Sequence, residues 1–312
     1  MKIGISRCLL GDNVRYDGAH KLDRYLRDIL GKFVEWVPVC PEVECGLSIP
    51  REAIRLVGTP EHYRLVTLKT QKDITVQMTE WAAIRLEQLA REDLCGYIFK
   101  TKSPSCGMRG VKVYTEKGMP SYRGSGIFAR LFMERFLEIP VEDEGRLHDD
   151  NIRENFIERI FVFSRWKDFL YTNHTVGGLI AFHTNHKLLF MAHSPRHLRS
   201  LGRIVVEATK QHLEKSTDKY FHTMMEALKL IATVKKNVNV LMHCMGYFKK
   251  QLTPDEKKEL AEVIEQYHSN LIPLIVPVTL IKHYARKYNE SYLKRQYYLN
   301  PHPAELKLRN HV

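Results

Sequence analysis

The sequence predicts an α/β amino-terminal domain built on a mainly parallel, Rossmann-like sheet, followed by an all-α carboxy-terminal domain. Three observations carry this expectation. Through roughly the first 140 residues, short apolar runs alternate with loops and amphipathic segments, the strand–loop–helix rhythm of a parallel sheet. Beyond residue 150, helical spacing takes over. Charge divides at the same place: residues 1–150 hold 23 Lys/Arg and 22 Asp/Glu, residues 151–312 hold 25 and 14, so nearly all of the net +12 lies in the second part. A chain of 312 residues accommodates two domains, expected at 1–145 and 150–312.

Residues 2–6 read as a buried first strand, followed by a polar loop over 7–18. A helix is expected over 20–30, with Leu22, Leu26, Ile29 and Leu30 on one face and Gly31 as its stop. Residues 33–39 form a second apolar strand that ends directly in Cys40, Pro41 and Glu42. Residues 79–94 form an amphipathic helix capped by Thr79, and 97–99 a third strand running into the loop 100–107. A helix over 124–136 and a fourth strand at 137–139 complete the set, and the acidic stretch 141–150 reads as a linker. Helices are then expected over 151–163, 166–171, 175–192, 195–214, 219–236, 239–248, 254–267 and 275–289. No apolar run approaches the roughly 20 residues that span a bilayer, and the first apolar stretch is too short for a signal peptide. The expectation is a soluble, cytoplasmic protein without a membrane partner.

Of six cysteines, Cys8, Cys40 and Cys106 each follow a predicted strand. In parallel α/β sheets the loops at the carboxyl ends of the strands line one crevice, so residues distant in sequence meet there. One cysteine per loop, without close pairs, is unlike a structural zinc site. Three thiolates leave a coordination position open, as a catalytic metal needs, and an all-sulfur set favours iron–sulfur over zinc. Cys45 competes with Cys40 for the middle position, while Cys95 and Cys244 sit in apolar or helical contexts and read as packed core.

Polar groups flank these cysteines. Glu42 reads either as a general base for a water or as a carboxylate capping a turn. Ser103, Ser105, Thr101 and Lys102 beside Cys106 are candidates for orienting a substrate or steadying developing negative charge. Arg15, Tyr16, Asp17 and Arg51 are weaker candidates for substrate or phosphate contacts. In the second domain, five histidines fall between residues 174 and 197, among them His183 and His186 at helical spacing. Without an interleaved carboxylate they read as core or phosphate-contacting groups before metal ligands. Residues 282–288 and 292–298 interleave cations with aromatic rings, a mix that suits RNA and equally suits a helix packed on its own domain.

Three motifs in order, Cys8-Leu-Leu-Gly11 with Arg15-Tyr-Asp-Gly18, then Cys40-Pro-Glu42 leading to Gly46 and Pro50-Arg51, then Ser103-Pro-Ser-Cys-Gly107, resemble the thiouracil desulfidase (TudS-type) domain over about residues 1–140. The segments 181–187, 192–195, Leu201-Gly202, 296–301 and 308–310 resemble the helical partner fused to that domain in tRNA 4-thiouridine desulfidases (RudS-type). The resemblance implies a [4Fe–4S] cluster on Cys8, Cys40 and Cys106, with the fourth iron free for the substrate's sulfur. It implies non-redox, hydrolytic removal of sulfur from 4-thiouridine in tRNA, with Glu42 as base and the basic second domain gripping the RNA. The presence of Cys45 departs from the family pattern and leaves the second ligand open between Cys40 and Cys45. A desulfidase for free thiouracil or a thiouridine nucleotide, and a non-enzymatic iron–sulfur RNA-binding protein, are the competing expectations.

Overall fold

The structure, a computed structural model, describes residues 1–59 and 62–311, with the side chains of Ser121 and Tyr122 also outside the description. The chain divides into two compact units, Met1–Asp149 and Asp150–Val312.

The first unit contains strands β1 (Lys2–Ser6), β2 (Glu35–Val39), β3 (Ile54–Gly58), β4 (Tyr63–Thr67), β5 (Leu94–Phe99), β6 (Val111–Tyr114), β7 (Pro120–Gly124) and β8 (Val141–Asp143), and helices α1 (Pro41–Glu44), α2 (Thr75–Ala90) and α3 (Ile127–Arg135). The main sheet has the order β2-β1-β5-β8 and every pairing in it is parallel. Its central strands are buried as such a sheet requires: Ile3 and Ile5 are fully buried, and all six residues of β5 are buried. Gly4 lies opposite Tyr97 across β1 and β5, and any Cβ there would sit 2.2 Å from the Tyr97 ring. The missing side chain lets that ring lie flat over β1. Tyr97 then joins Phe99, Phe128 and Phe132, with centroids 4.3–6.2 Å apart, in the core beneath α2 and α3.

A second sheet, β4-β3-β6-β7, has no counterpart in the elements expected from the sequence. Its β3–β6 pair is parallel and its outer pairs antiparallel. Leu56, Leu65, Val111 and Val113 point into a core with Ile74, Met78 and Ile127. Each strand is four or five residues long, too short for the period-2 pattern to stand out.

Three expected elements of the first unit are corrected. The helix over 79–94 is α2, Thr75–Ala90, with Thr79 inside it and its hydroxyl donating to Thr75 O at 2.9 Å. The helix over 20–30 is only an irregular turn, Tyr25–Ile29, followed by Leu30–Lys32. The reason is upstream: the amides of Lys21 and Asp23 donate to the carbonyls of Cys8 and Leu9, both at 2.9 Å, so this backbone is committed to the Cys8 loop. The fourth strand is β8, inside the stretch read as a linker, and Leu137 is 74% exposed in the turn before it. Glu142 and Asp143 disguised it. Both are buried, and Arg109 and Arg146 reach Glu142 at 3.0 Å.

The second unit is helical: α4 (Asp150–Thr172), α5 (Val176–His193), α6 (Pro195–Glu207), α7 (Leu213–Lys229), α8 (Val234–Tyr247), α9 (Pro254–His268), α10 (Ile275–Lys287) and α11 (Ser291–Lys294). α4 runs unbroken where the sequence suggested two helices, because Trp166 inside it stacks on Tyr220 with centroids 5.4 Å apart. α9 opens with a full capping box between Thr253 and Glu256. The carboxy-terminal segment is threaded back into the bundle, with Gln296 Nε2 donating to Thr184 O at 2.8 Å and Arg309 paired with Glu154 and Glu158. Among the described residues, no helix is long and apolar enough to cross a membrane.

Candidate functional site

The order β2-β1-β5-β8 sends the chain from β1 to one side and later to β5 on the other. The crevice of such a sheet lies where this reversal occurs, outside the carboxyl ends of the strands. Each strand end delivers chemistry there. β1 leads into Cys8, on the tight turn Arg7–Leu10. β2 ends at Val39, and Cys40 precedes α1 with its amide held by Glu44 Oε1 at 2.8 Å. β5 leads into the loop bearing Cys106, whose amide donates to Ser103 Oγ at 3.2 Å. β8 leads into Glu144, which accepts from the Thr101 amide at 2.6 Å and pairs with Lys100.

Cys8, Cys40 and Cys106 are buried and line one cavity of about 370 Å³. Cys45 does not line it: its thiol donates to Glu42 O at 3.3 Å and it packs on the core of the second sheet. Among the four cysteine candidates the geometry therefore separates three from one. Burial pushes the Cys8 thiol up to about 12, with the neighbouring Cys40 adding to it. Burial also raises Cys40 and Cys106, the latter further through Cys40 and Glu42. Raised in this way, the three thiols favour the protonated form at neutral pH, whereas a cationic centre among them would draw off their protons. Three thiols lining one cavity form an all-sulfur donor set, which suits an iron–sulfur group better than zinc.

Glu42 stands on the first turn of α1, two residues after Cys40. Its Oε1 accepts from Ser105 Oγ at 2.7 Å, and Ser105 Oγ lies 3.0 Å from Ser103 Oγ and 3.5 Å from the Cys106 sulfur. A continuous line of exchangeable protons thus runs from Ser103 through Ser105 to Glu42. The Cys106 loop is fixed from behind by α3, whose leading amides donate to the carbonyls of Pro104 and Ser105. Gly126 permits this approach, since a Cβ there would come within 2.6 Å of the Ser105 carbonyl group.

Arg51 lines the cavity too, with its donors committed to neighbours. Its Nε and Nη2 donate to Glu42 Oε2 at 3.0 and 2.5 Å, Nη2 also reaches Val14 O at 2.9 Å, and Nη1 reaches Ser48 O at 3.2 Å. With its side chain 6% exposed and its donors turned inward, it orients Glu42. Lys102, Arg15 and Tyr16 line the cavity. Arg15 lies over the Tyr16 ring, 5.4 Å from its centroid, and Tyr16 is 43% exposed at the rim. Sequence reasoning missed Lys21, Lys100 and Glu144. Glu144 follows the strand that was read as a linker, and the Lys100 amide is held by Ser6 Oγ at 2.9 Å.

In the second unit the three histidines of α5 are absorbed by packing. His183 Nδ1 lies 3.0 Å from Tyr220 OH, His186 Nδ1 2.8 Å from Phe182 O with Arg165 on its other nitrogen, and His193 bridges Leu230 O and Glu158. The rings of Tyr284 and Tyr298 are also buried. Arg196, Arg199 and Arg203 of α6 remain exposed, at helical spacing on one side.

Comparison with known proteins agrees with this division. Residues 3–144 match the family model described as 2-thiouracil desulfurase, and residues 187–303 match one described as a protein of unknown function, DUF1722. The uncharacterized protein YbgA of Escherichia coli is 34% identical over 137 residues, covering 44% of this chain and 81% of that protein. The uncharacterized protein YbbK of Bacillus subtilis is 31% identical over 145 residues, covering 45% of this chain and 95% of that protein. A solved structure, the [4Fe–4S]-dependent thiouracil desulfidase TudS, aligns with 28% identity and a TM-score of 0.38, covering 47% of this chain and 93% of its own. The chain belongs to the 2-thiouracil desulfurase family through its amino-terminal α/β unit and carries a DUF1722 region in its helical unit.

Proposed function

We propose that the protein removes sulfur from 4-thiouridine in tRNA, yielding uridine and sulfide, with a [4Fe–4S] cluster held by Cys8, Cys40 and Cys106. The observation that carries this reading is the convergence of three strand-end thiols on one cavity that also receives Glu42. The chemistry such a cluster supplies when bound is Lewis-acid polarisation of the thiocarbonyl sulfur by an iron without a protein ligand. The balance is hydrolytic: a C=S bond is exchanged for C=O, water provides the oxygen, its two protons leave with sulfide, and no electron is transferred.

The protein's own residues supply the rest. Glu42 takes a proton from the attacking water, and Arg51 holds its carboxylate at the angle required. Ser105 and Ser103 pass that proton along their hydroxyl line. Lys102 and Arg15 offset the negative charge that builds on the ring during attack. Tyr16 offers a ring at the rim against which a pyrimidine stacks. The excess of 25 Lys/Arg over 14 Asp/Glu in residues 151–312, and the exposed row Arg196, Arg199 and Arg203, support an RNA backbone as the partner of the helical unit. A free base has no use for such a surface.

The test is to purify the full chain without oxygen, incubate it with bulk tRNA and with free 4-thiouracil, and quantify 4-thiouridine and released sulfide. Loss of 4-thiouridine matched by sulfide is expected. Consumption of free 4-thiouracil alone would replace the substrate reading with the small-molecule one. Survival of both substrates beside an intact cluster would overturn the reading altogether.

A further inference from the structure

The one-turn helix α1 carries two carboxylates, and each meets its own arginine. Glu42 lines the cavity and pairs with Arg51. Glu44 does not line it, and its Oε2 lies 3.2 Å from Nε of Arg85 on α2. The other oxygen, Oε1, accepts from the Cys40 amide at 2.8 Å, and the Glu44 amide donates back to the Cys40 carbonyl at 2.9 Å. Cys40 is thus held on both sides of its Cα by one residue, and through that residue by Arg85. The far end of α1 meets the same helix, where Gln77 Nε2 donates to the Cys45 carbonyl at 2.8 Å. Gln77, Trp81 and Arg85 recur every four residues along one face of α2. The buried residues Met78, Ala82, Leu86 and Leu89 anchor that helix in the core. A packed support therefore grips α1 at both of its cysteines. At one end the Cys45 thiol is bonded to Glu42 O, and at the other the Cys40 thiol faces the cavity.

An amide committed to a carboxylate has no proton left for a cluster sulfur, and the carboxylate brings a negative charge beside the ligand. Arg85 offsets that charge. The two side chains are 26% and 19% exposed, so solvent and salt screen the pair only partly. We infer that Glu44 and Arg85 are positioning residues for Cys40, which fix its backbone as the middle ligand and balance the charge behind it. Partners behind a metal ligand set its orientation, and charge and hydrogen bonds near a cluster set its potential. The inference rests on the three-cysteine centre of the proposed function and is independent of the substrate that centre meets.

The experiment reconstitutes the full chain anaerobically as wild type, Glu44→Gln, Glu44→Ala, Arg85→Met and the double variant Glu44→Gln with Arg85→Met. It reads the half-life of the cluster against an iron chelator and its midpoint potential by titration followed by electron paramagnetic resonance. The potential is a probe of charge at the ligand, since the proposed reaction transfers no electron. Glu44→Gln keeps an acceptor for the Cys40 amide and removes the charge. Its cluster should persist near the wild-type half-life while the potential rises. Arg85→Met leaves the Glu44 charge unopposed, so the potential should fall. The double variant should return close to the wild-type potential. Glu44→Ala removes the acceptor as well and should lose its cluster about tenfold faster. A purely structural role would not move the potential in opposite directions. Shifts of one sign, no shift, or a Glu44→Ala cluster as durable as the wild type's overturn the inference. A wild type that takes up no cluster would remove the three-cysteine centre and this inference together, a result distinct from a loaded protein whose variants are unchanged. Opposite shifts in a protein that desulfurates nothing would keep the positioning pair and remove the desulfidase reading. Thermal melts of the apoproteins compare folding, and the potentials of Glu44→Gln and Arg85→Met carry the test should Glu44→Ala fail to fold.

Discussion

The two units concentrate different ligand-type residues and resolve them in opposite ways. In Met1–Asp149 three cysteines from distant loops leave their thiols facing one cavity. In Asp150–Val312 the histidines of α5 are locked by Tyr220 OH, Phe182 O, Arg165 and Glu158. Histidine and cysteine together are more numerous in the second unit, 13 against 8, yet the candidate site lies in the first. A parallel sheet carries every strand end to one edge, so its loop residues converge without being close in sequence. A helix that is buried on most of its surface consumes its polar side chains in packing, where each must find a partner. Topology, and not the count of potential ligands, separates a site from a core.

The buried polar networks of the two units sharpen this contrast when broken. Glu42→Gln should leave the thiols in place and lower kcat by about 100-fold or more, since a positioned base contributes that much. Single-turnover desulfuration beside an unchanged iron content checks it, and an unaltered rate would return Glu42 to a turn cap. Arg309→Ala should do the reverse. It strands Glu158 and Glu154, which Arg309 reaches at 2.6 and 3.1 Å, and should destabilise the helical unit by about 3–5 kcal/mol without altering iron content, as seen in thermal melts.

The same network sets an acid limit. Burial pushes the Glu158 carboxyl up, but Arg309 and His193 outweigh it and hold it down at about 2, below its ordinary value of 4.5. A carboxyl lowered on folding contributes stability that is present above 4.5 and lost as pH falls towards 2. Burial raises the neighbouring Glu154 to about 7, so that carboxyl works the other way between 7 and 4.5; the helical unit should therefore weaken only below about 4.5, and Arg309→Ala should flatten that limb. The smallest effect belongs to the surface. Replacing Arg196, Arg199 and Arg203 with Gln should leave stability within about 0.5 kcal/mol, while the salt dependence of tRNA binding falls by up to about one unit of slope for each phosphate no longer neutralised. Unchanged tRNA affinity would place the RNA surface elsewhere.

Much of the first unit was legible because the residues that carry its chemistry follow apolar strands. β1, β2 and β5 were visible as apolar runs, and the cysteines behind two of them follow within two residues. What was illegible has a physical reason in each case. β8 was hidden by Glu142 and Asp143, whose charge is satisfied by Arg109 and Arg146 from outside the strand. With β8 went Glu144, the residue that fixes Lys100 and the Cys106 loop. The pairing of Arg51 with Glu42 was illegible because sequence does not tell which way a guanidinium turns. The choice between Cys40 and Cys45 was likewise one of direction. One thiol faces the cavity, and the other bonds to the carbonyl of Glu42 behind it.

That choice provides the most direct test of the central claim, that three strand-end cysteines make one centre. Iron and acid-labile sulfide should be counted per chain after anaerobic reconstitution of the wild type and of Cys8→Ala, Cys40→Ala, Cys106→Ala and Cys45→Ala. The account predicts that the first three substitutions each abolish the cluster and that Cys45→Ala retains it in full. A cluster retained in Cys40→Ala and lost in Cys45→Ala would contradict it.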